Sequence, residues 1–540
     1  MATIRERKLF SPVQIGPMNL QHRVVMAPLT RSRSEQPGDI PGDLMAEYYG
    51  QRASEGGLII SEATTIAISG RGWFGAPGMY SDEQVAGWKK VIGAVHSKGG
   101  RMFSQLWHTG RSSHVDLTNG ATPVAPSVVP NYWLDSTPSV STPSGWVKPS
   151  PHRALDIAEI PGVIEDYRKA AERAKAAGFD GVELHAANGY LPDEFLQDGS
   201  NKRTDAYGGS IENRARFLLE VVDAIASVWG GNRVAVRIGP GGMWNSMSDS
   251  NPTALFSYVA DQLNRFGLAY LHIIEPRVKG NVVIAEGQAP VATEQLRKIF
   301  QGKITAAGGF EPETAEAVVE SGDADLVAFG RHFVSNPDLP KRIQFGLPLS
   351  AYDRATFYTF DAHGYVDYPS YDQHREGVSD PFCPQLKDSP FYYDRCRQTG
   401  DAQASASRIC ESKNKALVLE AFDTLFNKRD YVAAERYWSP NYIQHSAHIA
   451  PGREGLFDLI KSIPPTLKYE PGMIVADGNL VMVHGRFSDF GAPVNWIAAD
   501  ILRIEDGILV EHWDVIQDEA TQEKSKSGWP MFGDSFPVYR

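Results

Sequence analysis

The chain has 540 residues and carries 53 Lys and Arg against 65 Asp and Glu, a formal net charge of -12. This length exceeds one compact core and indicates two or three domains. With 42% hydrophobic and 22% charged residues, the composition is that of a globular protein. No apolar run is long enough for a membrane-spanning helix, and no secretory signal is recognisable, so we expect neither.

The charge balance and the cysteines exclude further classes of protein. Cys383, Cys396 and Cys410 are too few for a disulfide framework and match no zinc module, so no metal site is expected. An acidic chain without a basic run argues against nucleic acid or an anionic membrane as partner. We therefore expect a cytoplasmic protein that acts on a small molecule.

The first 370 or so residues alternate short β-rich runs with helix-period segments. The predicted strands are 24–28, 58–61, 101–106, 181–185, 234–238, 270–274, 303–306 and 326–329. The clearest helix is predicted at 160–177, where Gly178 ends it. Eight alternating units predict an α/β fold, the (β/α)8 or TIM barrel, whose catalytic face lies at the carboxyl ends of the strands.

Two segments interrupt this pattern. The Pro- and Ser-rich segment 122–151 predicts an ordered excursion over the barrel mouth. Periodicity is lost from about residue 371 to 410, which indicates a linker. We therefore assign 1–371 to the barrel, 372–411 to the linker and 412–540 to a second domain with a C-terminal tail.

The pattern of the second domain predicts helices followed by strands. Helices are predicted at 415–428, 431–438 and 455–463, and strands at 467–470, 473–476, 480–484, 496–504 and 508–516. This order predicts an α+β fold with a curved sheet.

Glycines after the last two barrel strands suggest a phosphate site. Gly308 and Gly309 follow the seventh strand, and Gly330 and Arg331 follow the eighth. In this barrel these two loops commonly bind phosphate, through backbone N–H groups and an arginine. Each glycine alone is typical of an ordinary turn. The presence of glycines in both loops favours the phosphate site.

Two strand-end side chains suit a flat polar ring attached to that phosphate. The amide of Gln105 can donate and accept at a pyrimidine-like edge. Arg237 would place a fixed positive charge beside a ring that becomes anionic on reduction. Alternatively, Arg237 pairs with a carboxylate such as Glu183.

Three polar groups follow the fourth strand within six residues. His185 and Asn188 can act as an oxyanion hole for the carbonyl oxygen of an α,β-unsaturated carbonyl compound when hydride adds to its β-carbon. Tyr190 stays protonated at neutral pH and can donate the proton to the α-carbon. Each residue alone reads as a packed side chain, and the three together favour catalysis.

These residues and their neighbours resemble the Old Yellow Enzyme family of FMN-dependent ene-reductases. The segments that carry the resemblance span the whole barrel and are 26–31 (Met-Ala-Pro-Leu-Thr-Arg), 75–78 (Gly-Ala-Pro-Gly), 105–111 (Gln-Leu-Trp-His-Thr-Gly-Arg), 185–191 (His-Ala-Ala-Asn-Gly-Tyr-Leu), 201–210 (Asn-Lys-Arg-Thr-Asp-Ala-Tyr-Gly-Gly-Ser), 329–331 (Phe-Gly-Arg), 357–358 (Phe-Tyr) and 364–369 (Gly-Tyr-Val-Asp-Tyr-Pro). The resemblance implies FMN as cofactor, NADPH as electron donor and a small enone as substrate.

The resemblance also implies a role for individual residues. The FMN ring contacts would be Pro28, Leu29, Thr30, Ala63, Gln105 and Arg237, and the phosphate contacts Gly308, Gly309, Gly330 and Arg331. His185 and Asn188 would bind the substrate oxygen, Tyr190 would donate the proton, and Thr30 would tune the potential of the ring. Trp73, Trp107 and Tyr358 would shape the pocket. Trp244 lies in a loop that departs from the family pattern and can narrow or redirect the pocket.

The second domain is similar to SnoaL-like proteins of the NTF2-like superfamily, which form a cone-shaped α+β fold around a pocket. The similar segments are 442–445 (Tyr-Ile-Gln-His), 452–455 (Gly-Arg-Glu-Gly), 499–507 (Ala-Asp-Ile-Leu-Arg-Ile-Glu-Asp-Gly) and 511–514 (Glu-His-Trp-Asp). The resemblance implies either proton transfer next to a carbonyl or mere binding or dimerisation.

Three residues of this domain are candidates for proton transfer. Asp500 shares a strand face with the apolar Trp496, and a carboxyl group against apolar walls can act as acid or base. His445 and His512 are further candidates. Alternatively, Asp500 belongs to a structural network with Arg503 or Arg453.

The leading hypothesis is an FMN- and NADPH-dependent enone reductase of secondary metabolism, fused to a domain that cyclises or isomerises a related intermediate. A second hypothesis keeps the flavin but has it isomerise or cyclise without net redox change. A third makes the C-terminal domain a dimerisation or docking module, and a homodimer is one assembly that this allows.

Overall fold

The structure is a computed structural model of the chain. It describes residues 7–134, 139–275, 278–279, 282–283, 291–375, 414–415, 417–477, 479–505, 507–520, 523–525 and 531–532. The chain divides into two compact units, residues 1–388 and 389–540. Most of the linker predicted at 372–411 lies outside the described residues, so its bounds and those of the two domains stay predictions.

The first unit is a closed barrel of eight parallel strands arranged around the axis in sequence order. The strands are β1 (Val24–Met26), β2 (Leu58–Thr65), β3 (Arg101–Trp107), β4 (Gly181–Ala186), β5 (Val234–Ile238), β6 (Tyr270–Ile274), β7 (Ile304–Ala307) and β8 (Leu326–Phe329). The predicted (β/α)8 barrel is confirmed. Its strands are covered on both faces, and all eight residues of β2 are buried.

Helices surround the barrel. They are α1 (Asp43–Arg52), α2 (Asp82–His96), α3 (Ile160–Ala177), α4 (Leu191–Leu196), α5 (Ile211–Trp229), α6 (Pro252–Leu263), α7 (Val291–Arg297), α8 (Pro312–Glu320), α9 (Arg331–Ser335) and α10 (Leu339–Phe345). Helix α3 has the predicted bounds, because Gly178 adopts a left-handed φ of 99° and ends it. Two further short helices lie at Asn131–Leu134 and Tyr371–Arg375.

Small two-stranded sheets occupy the loops between the barrel elements. They pair Val13–Ile15 with Met18–Leu20, Val124–Ala125 with Arg153–Ala154, Val140–Thr142 with Gly145–Val147, and Val278–Lys279 with Val282–Val283. The predicted excursion 122–151 contains the third of these, a hairpin whose Trp146 reaches the cavity at the barrel mouth.

The second unit contains one five-stranded sheet. Its strands are β9 (Trp438–Gln444), β10 (Lys468–Asp477), β11 (Leu480–Ser488), β12 (Trp496–Glu505) and β13 (Ile508–Asp518). They lie in the order β9-β13-β12-β11-β10, with β9 parallel to β13 and the other neighbours antiparallel. Helical segments pack on the sheet at 417–422, at the π-helical turn Asp423–Asn427, at Tyr431–Ala434 and at α11 (Gly452–Ser462). This is the predicted α+β class.

Two predictions for the second unit are corrected by the structure, the end of one helix and the division of one strand into two. The helix predicted at 431–438 ends at Ala434, and Trp438 begins strand β9 instead. Pro440 disfavours helical backbone in the residue before it, and the Trp438 side chain is buried in the core. The strands predicted at 467–470 and 473–476 form the single strand β10, which is irregular between Pro471 and Ile474.

Each unit has its own hydrophobic core. In the second unit the core includes Phe422, Trp438, Phe457, Tyr469 and Leu502. None of the helices in the described part of the chain is long and apolar enough to cross a membrane.

We predict that Leu502→Ala destabilises the second unit alone. Leu502 is completely buried, and truncating such a side chain costs about 2–5 kcal/mol. Hydrogen exchange in increasing urea, followed on peptides from each unit, measures the effect. Val515→Ala is the matched control, because Val515 lies on the same sheet but is 71% exposed, and it should change the free energy of unfolding by less than about 0.5 kcal/mol. Equal destabilisation of the barrel would contradict separate cores.

Candidate active site

A cavity of about 530 Å³ opens at the carboxyl ends of the barrel strands. Every strand, or the loop that follows it, contributes to its lining. These contributions include Thr30 after β1, Ala63 in β2, Gln105 in β3, His185 in β4, Arg237 in β5, Ile274 in β6, Ala307 in β7 and Phe329 in β8. This is the face at which barrels of this type hold their active sites.

The cavity brings together all but one of the residues that the sequence suggested for the barrel. Those that line it are Pro28, Leu29, Thr30, Ala63, Trp73, Gln105, His185, Asn188, Tyr190, Arg237, Trp244, Gly308, Gly309, Gly330, Arg331 and Tyr358. The exception is Trp107, which is fully buried and packs edge-to-face on Tyr190, with ring centroids 5.0 Å apart.

A buried carboxylate organises the floor of the cavity. Glu183 accepts hydrogen bonds from Gln105 Nε2 at 2.8 Å and from His272 Nδ1 at 2.9 Å. Burial alone would raise the pKa of Glu183, but His272, Arg237 and Gln105 together lower it. Because Glu183 takes the amide N–H of Gln105, the carbonyl oxygen of Gln105 is the atom left to accept a hydrogen bond from a ligand.

Arg237 has a guanidinium nitrogen, the buried Nε, without a hydrogen-bond partner among the described residues. No direct ion pair joins Arg237 to Glu183 in this part of the chain, although the charge of Glu183 opposes the lowering of the Arg237 pKa by burial. The alternative of a simple Arg237–Glu183 pair is therefore not what the structure contains.

His185 and Tyr190 are held in fixed protonation states. Burial, reinforced by Arg237 and His272, lowers the pKa of His185 well below its usual value, so the imidazole is neutral. Burial raises the pKa of Tyr190, so its hydroxyl stays protonated at neutral pH. The two rings pack edge-to-face, with centroids 5.0 Å apart, and His185 Nδ1 has no partner among the described residues. Asn188 adopts a left-handed φ of 60° between them.

Glycines permit a close approach in the loops after β7 and β8. Gly308 and Gly309 have φ of 115° and 65°, in the left-handed region that favours glycine. A Cβ on Gly330 would lie 3.1 Å from Leu29 Cδ2, tighter than an ordinary contact. Arg331 lines the cavity beside these loops.

These groups fit FMN. The glycine loops and Arg331 would hold the phosphate, and the Gln105 carbonyl and the Arg237 guanidinium would meet the polar edge of the ring. The neutral His185 and the protonated Tyr190 lie in the same cavity. A (β/α)8 barrel with this set of donors and acceptors defines a flavin-dependent oxidoreductase.

Comparison with known proteins gives the family. The model of the NADH:flavin oxidoreductase / NADH oxidase family matches residues 8–350, and the SnoaL-like domain model matches residues 418–512. The chain belongs to this family of FMN flavoprotein oxidoreductases, the Old Yellow Enzyme family, and carries a SnoaL-like domain after the barrel.

Three similar proteins are matched over about two thirds of this chain. 12-Oxophytodienoate reductase 1 of Oryza sativa subsp. japonica is 46% identical over 369 residues, 67% of this chain and 92% of the relative. The structure of morphinone reductase in complex with tetrahydroNAD is 48% identical, covers 68% of this chain and 98% of its own, and has a TM-score of 0.62. The Old Yellow Enzyme homologue from Zymomonas mobilis is 42% identical, covers 67% of this chain and 99% of its own, and has a TM-score of 0.63. These three are therefore matched almost completely by two thirds of this chain.

The structure adds an aromatic residue that the sequence did not single out. Trp146 lines the cavity and packs edge-to-face on Trp73 and Tyr358, with ring centroids 5.1 and 5.8 Å apart. The turn signal at Ser144-Gly145 inside the Pro-rich segment could have indicated a hairpin, but not that its tip would meet residues from two distant loops.

A second unrecognised residue holds the loop that carries Trp244. Asn245 Nδ2 donates to the Asn188 carbonyl at 2.9 Å, and the Asn245 carbonyl accepts from Arg111 Nη2 at 3.0 Å. Asn245 and Ser246 have left-handed φ angles of 56° and 58°. Two successive left-handed residues are a strained backbone of the kind that functional loops retain.

The SnoaL-like unit has a smaller cavity of about 70 Å³. Its walls are mainly aromatic and aliphatic, and Asp500, His512 and Asp514 also line it. Asp500 Oδ1 lies 3.0 Å from His512 Nε2, and burial raises the pKa of Asp500 while the bond to His512 opposes this. The alternative pairing of Asp500 with Arg503 or Arg453 is not observed.

The structure does not bring His445 to this cavity. Its ring is 42% exposed, bonds to Glu511 Oε1 at 2.9 Å and stacks on Trp513 at 4.9 Å. Tyr442 of β9 lines the cavity. Side chains alternate between the two faces of a strand, so His445, three residues later, belongs to the opposite face.

Arg31 joins the end of β1 to the segment that carries Tyr358. Its buried guanidinium donates from Nε to the Phe357 carbonyl at 3.0 Å and from Nη2 to the Gly364 carbonyl at 2.7 Å. Arg33 donates to the same Phe357 carbonyl at 2.9 Å. The segment 356–364 therefore depends on these arginines rather than on a sheet for its position.

We predict that Arg31→Met lowers the free energy of unfolding of the barrel by about 2–4 kcal/mol, because buried carbonyls lose charge-assisted donors. Urea unfolding of the FMN-loaded protein, followed by the fluorescence of released FMN, measures this. Arg168→Met is the matched control, since Arg168 pairs with Glu165 and Glu172 on the surface of α3, and should cost less than about 1 kcal/mol. Equal losses in both variants would contradict the role of Arg31.

Proposed function

We propose that the barrel reduces the C=C bond of an α,β-unsaturated carbonyl compound. The observation that carries this proposal is that His185, Asn188 and Tyr190 line one cavity, where burial lowers the pKa of His185 and raises the pKa of Tyr190. Bound FMN, reduced by a nicotinamide donor, supplies the hydride for the β-carbon.

The side chains would stabilise the developing negative charge and supply the proton. His185 and Asn188 donate hydrogen bonds to the carbonyl oxygen, where negative charge develops as hydride arrives. Tyr190 gives its proton to the α-carbon. Burial keeps His185 neutral and Tyr190 protonated across the physiological range, so neither donor is lost when pH changes modestly.

The relatives support this proposal. Two of them are named as reductases, of 12-oxophytodienoate and of morphinone, and the morphinone reductase structure is a complex with tetrahydroNAD. We propose a related enone for this chain and NADPH as its donor. The cytoplasmic location, the role in secondary metabolism and the homodimer stay predictions from the sequence.

An assay with a simple cyclic enone tests the reaction. The FMN-loaded protein should consume NADPH in a one-to-one ratio with the saturated ketone, and parallel assays with NADH give the donor preference. Product formed without NADPH consumption would favour the flavin-dependent isomerase or cyclase instead.

We predict that Tyr190→Phe slows enone reduction by about 10²–10⁴-fold, the usual contribution of a positioned general acid. Reduction of FMN by NADPH should be unchanged, because that step needs no proton from Tyr190. Stopped-flow absorbance separates the two half-reactions.

The control for Tyr190 is Tyr207→Phe, which removes a phenol that bonds to Glu220 Oε2 at 2.8 Å outside the cavity. This variant should keep both half-reactions. An unaltered rate of enone reduction in Tyr190→Phe would contradict the assigned proton donor.

For the SnoaL-like unit we propose proton transfer next to a carbonyl, as in isomerisation or ring closure of an intermediate related to the barrel's substrate or product. The support is the buried Asp500–His512 pair in the lining of a cavity with mainly apolar walls. A carboxyl group in such surroundings can act as acid or base near neutral pH. The rival is a docking or dimerisation module.

We predict that the full-length protein catalyses deuterium exchange at the α-carbon of a cyclic ketone, and that Asp500→Asn reduces this by about 10²–10⁴-fold. The measurement is made by mass spectrometry in a Tyr190→Phe background, so that the barrel's phenol cannot contribute. Asp500→Asn alone should retain enone reduction. If exchange is absent, or if it survives Asp500→Asn, the docking alternative is favoured.

A further inference from the structure

His512 lies between two oxygen atoms in the second unit. On one side, Nδ1 is 2.9 Å from Gln444 Oε1, and on the other, Nε2 is 3.0 Å from Asp500 Oδ1. Asp500 and His512 are 4% and 5% exposed, and Gln444 comes from the neighbouring parallel strand β9, where it pairs in register with His512. The imidazole therefore has one partner at each nitrogen and little contact with water.

The identity of the Gln444 atom that faces His512 is fixed by a second contact. The backbone N–H of Ser446 donates to Gln444 Oε1 at 3.0 Å. A backbone N–H is only a donor, so the side-chain atom that it meets must be the carbonyl oxygen and not the amide nitrogen. The same oxygen faces His512 and can only accept from it.

This contact determines where the proton of His512 sits. Because Gln444 Oε1 accepts, His512 Nδ1 carries hydrogen, and Nε2 is the nitrogen that faces Asp500. A short contact between Nε2 and a carboxyl oxygen needs one proton between them. Asp500 and His512 Nε2 therefore share a single proton, as a carboxylic acid beside a neutral imidazole or as a carboxylate beside an imidazolium.

We propose that Gln444 is a positioning residue that fixes this tautomer and so prepares Asp500 Oδ2 as the base of the second unit. The proposal rests on the proton-transfer function proposed above for this cavity. Asp500 Oδ2 is buried and has no hydrogen-bond partner among the described residues, which leaves it as the free acceptor of the pair.

The proton transfer that we propose balances in protons and charge without another reactant. A C–H proton next to the substrate carbonyl passes to Asp500 Oδ2, and the C–H electron pair remains on the substrate as an enolate. The shared proton then lies on His512 Nε2, so Asp500 is a carboxylic acid and His512 an imidazolium. The positive charge of the imidazolium balances the negative charge of the enolate. Return of a proton from Asp500 to another carbon gives the isomer and restores the pair.

The surroundings define the substrate class. Phe422, Trp438, Phe487 and Trp496 are among the aromatic residues that line the cavity. Lining groups that titrate are Asp500, His512, Asp514, His448 and Tyr442. Burial raises the pKa of Tyr442, so the phenol is neutral. The occupant that suits such walls is an uncharged, mainly apolar ketone or enone with an acidic C–H beside the carbonyl.

The same residues admit one rival use. Asp500, His512 and Asp514 have ligand atoms within 4.8 Å of one another, a spacing compatible with a divalent metal ion. A metal ion would take the lone pair of His512 Nε2 and the carboxylate of Asp500, and no proton would remain between them. The position of that proton therefore separates the two uses.

Nuclear magnetic resonance of ¹⁵N-histidine-labelled full-length protein locates the proton, with His512→Gln identifying the signals. Between about pH 5 and 8, Nδ1 should remain protonated and Nε2 should show the intermediate shift of a shared proton. A neutral ring protonated only at Nε2 would overturn the proposal. So would a shift of both signals on addition of stoichiometric Zn²⁺, because it would indicate a metal site.

Two variants of Gln444 test its role. Gln444→Leu removes the acceptor and should change the tautomer ratio of His512 by about tenfold, the size of one hydrogen bond. Gln444→Glu keeps an acceptor and adds a negative charge, so His512 Nδ1 should keep its hydrogen. Gln517→Leu, at an exposed position of β13, is the matched control and should leave the His512 signals unchanged.

Deuterium exchange on the same variants connects the tautomer to catalysis. Gln444→Leu should lower the rate of deuterium exchange. Gln444→Glu should keep the hydrogen on His512 Nδ1, as in the wild type, but should shift the pH dependence of the exchange rate. Unchanged His512 signals in both variants would overturn the positioning role. The expected signals without any exchange in the wild type would instead overturn only the proposed proton-transfer function.

Discussion

One buried negative charge organises the barrel's active site. Glu183 binds Gln105 and His272 directly and acts on Arg237 through space. Without this carboxylate the amide of Gln105 would be free to rotate, and two basic side chains would lie buried with no countercharge, which is costly in a protein interior. Burial is the main cause that lowers the pKa of His185, and the nearby Arg237 and His272 lower it further.

The fold and much of the site could be predicted because their determinants are local. A strand followed by a polar residue marks the catalytic face of a parallel barrel, so Gln105, His185 and Arg237 could be identified from their positions at strand ends. Helix α3 was predicted with its observed bounds because Gly178 supplies a left-handed cap. Asp500 was identifiable because a two-residue period places it with Trp496, and both line the same cavity.

What the sequence could not reveal depends on contacts between distant segments. Trp146 meets Trp73 and Tyr358 only after three loops converge. Arg31 has carbonyl partners more than 300 residues away, and no local pattern announces them. His445 and His512 looked equivalent, yet only His512 faces the cavity. The helix predicted through Trp438 failed because burial in the core outweighed a short amphipathic pattern.

The hydrogen bond between Gln105 and Glu183 affects how the protein acquires its cofactor. Both groups lie buried on neighbouring barrel strands, so we expect the hydrogen-bonding edge that would receive the ring to form as the barrel folds. Loading of the cofactor then requires little rearrangement of the strand that carries Gln105, and the entropy of ordering that side chain is lost during folding rather than during uptake. Folding and cofactor acquisition become separable events.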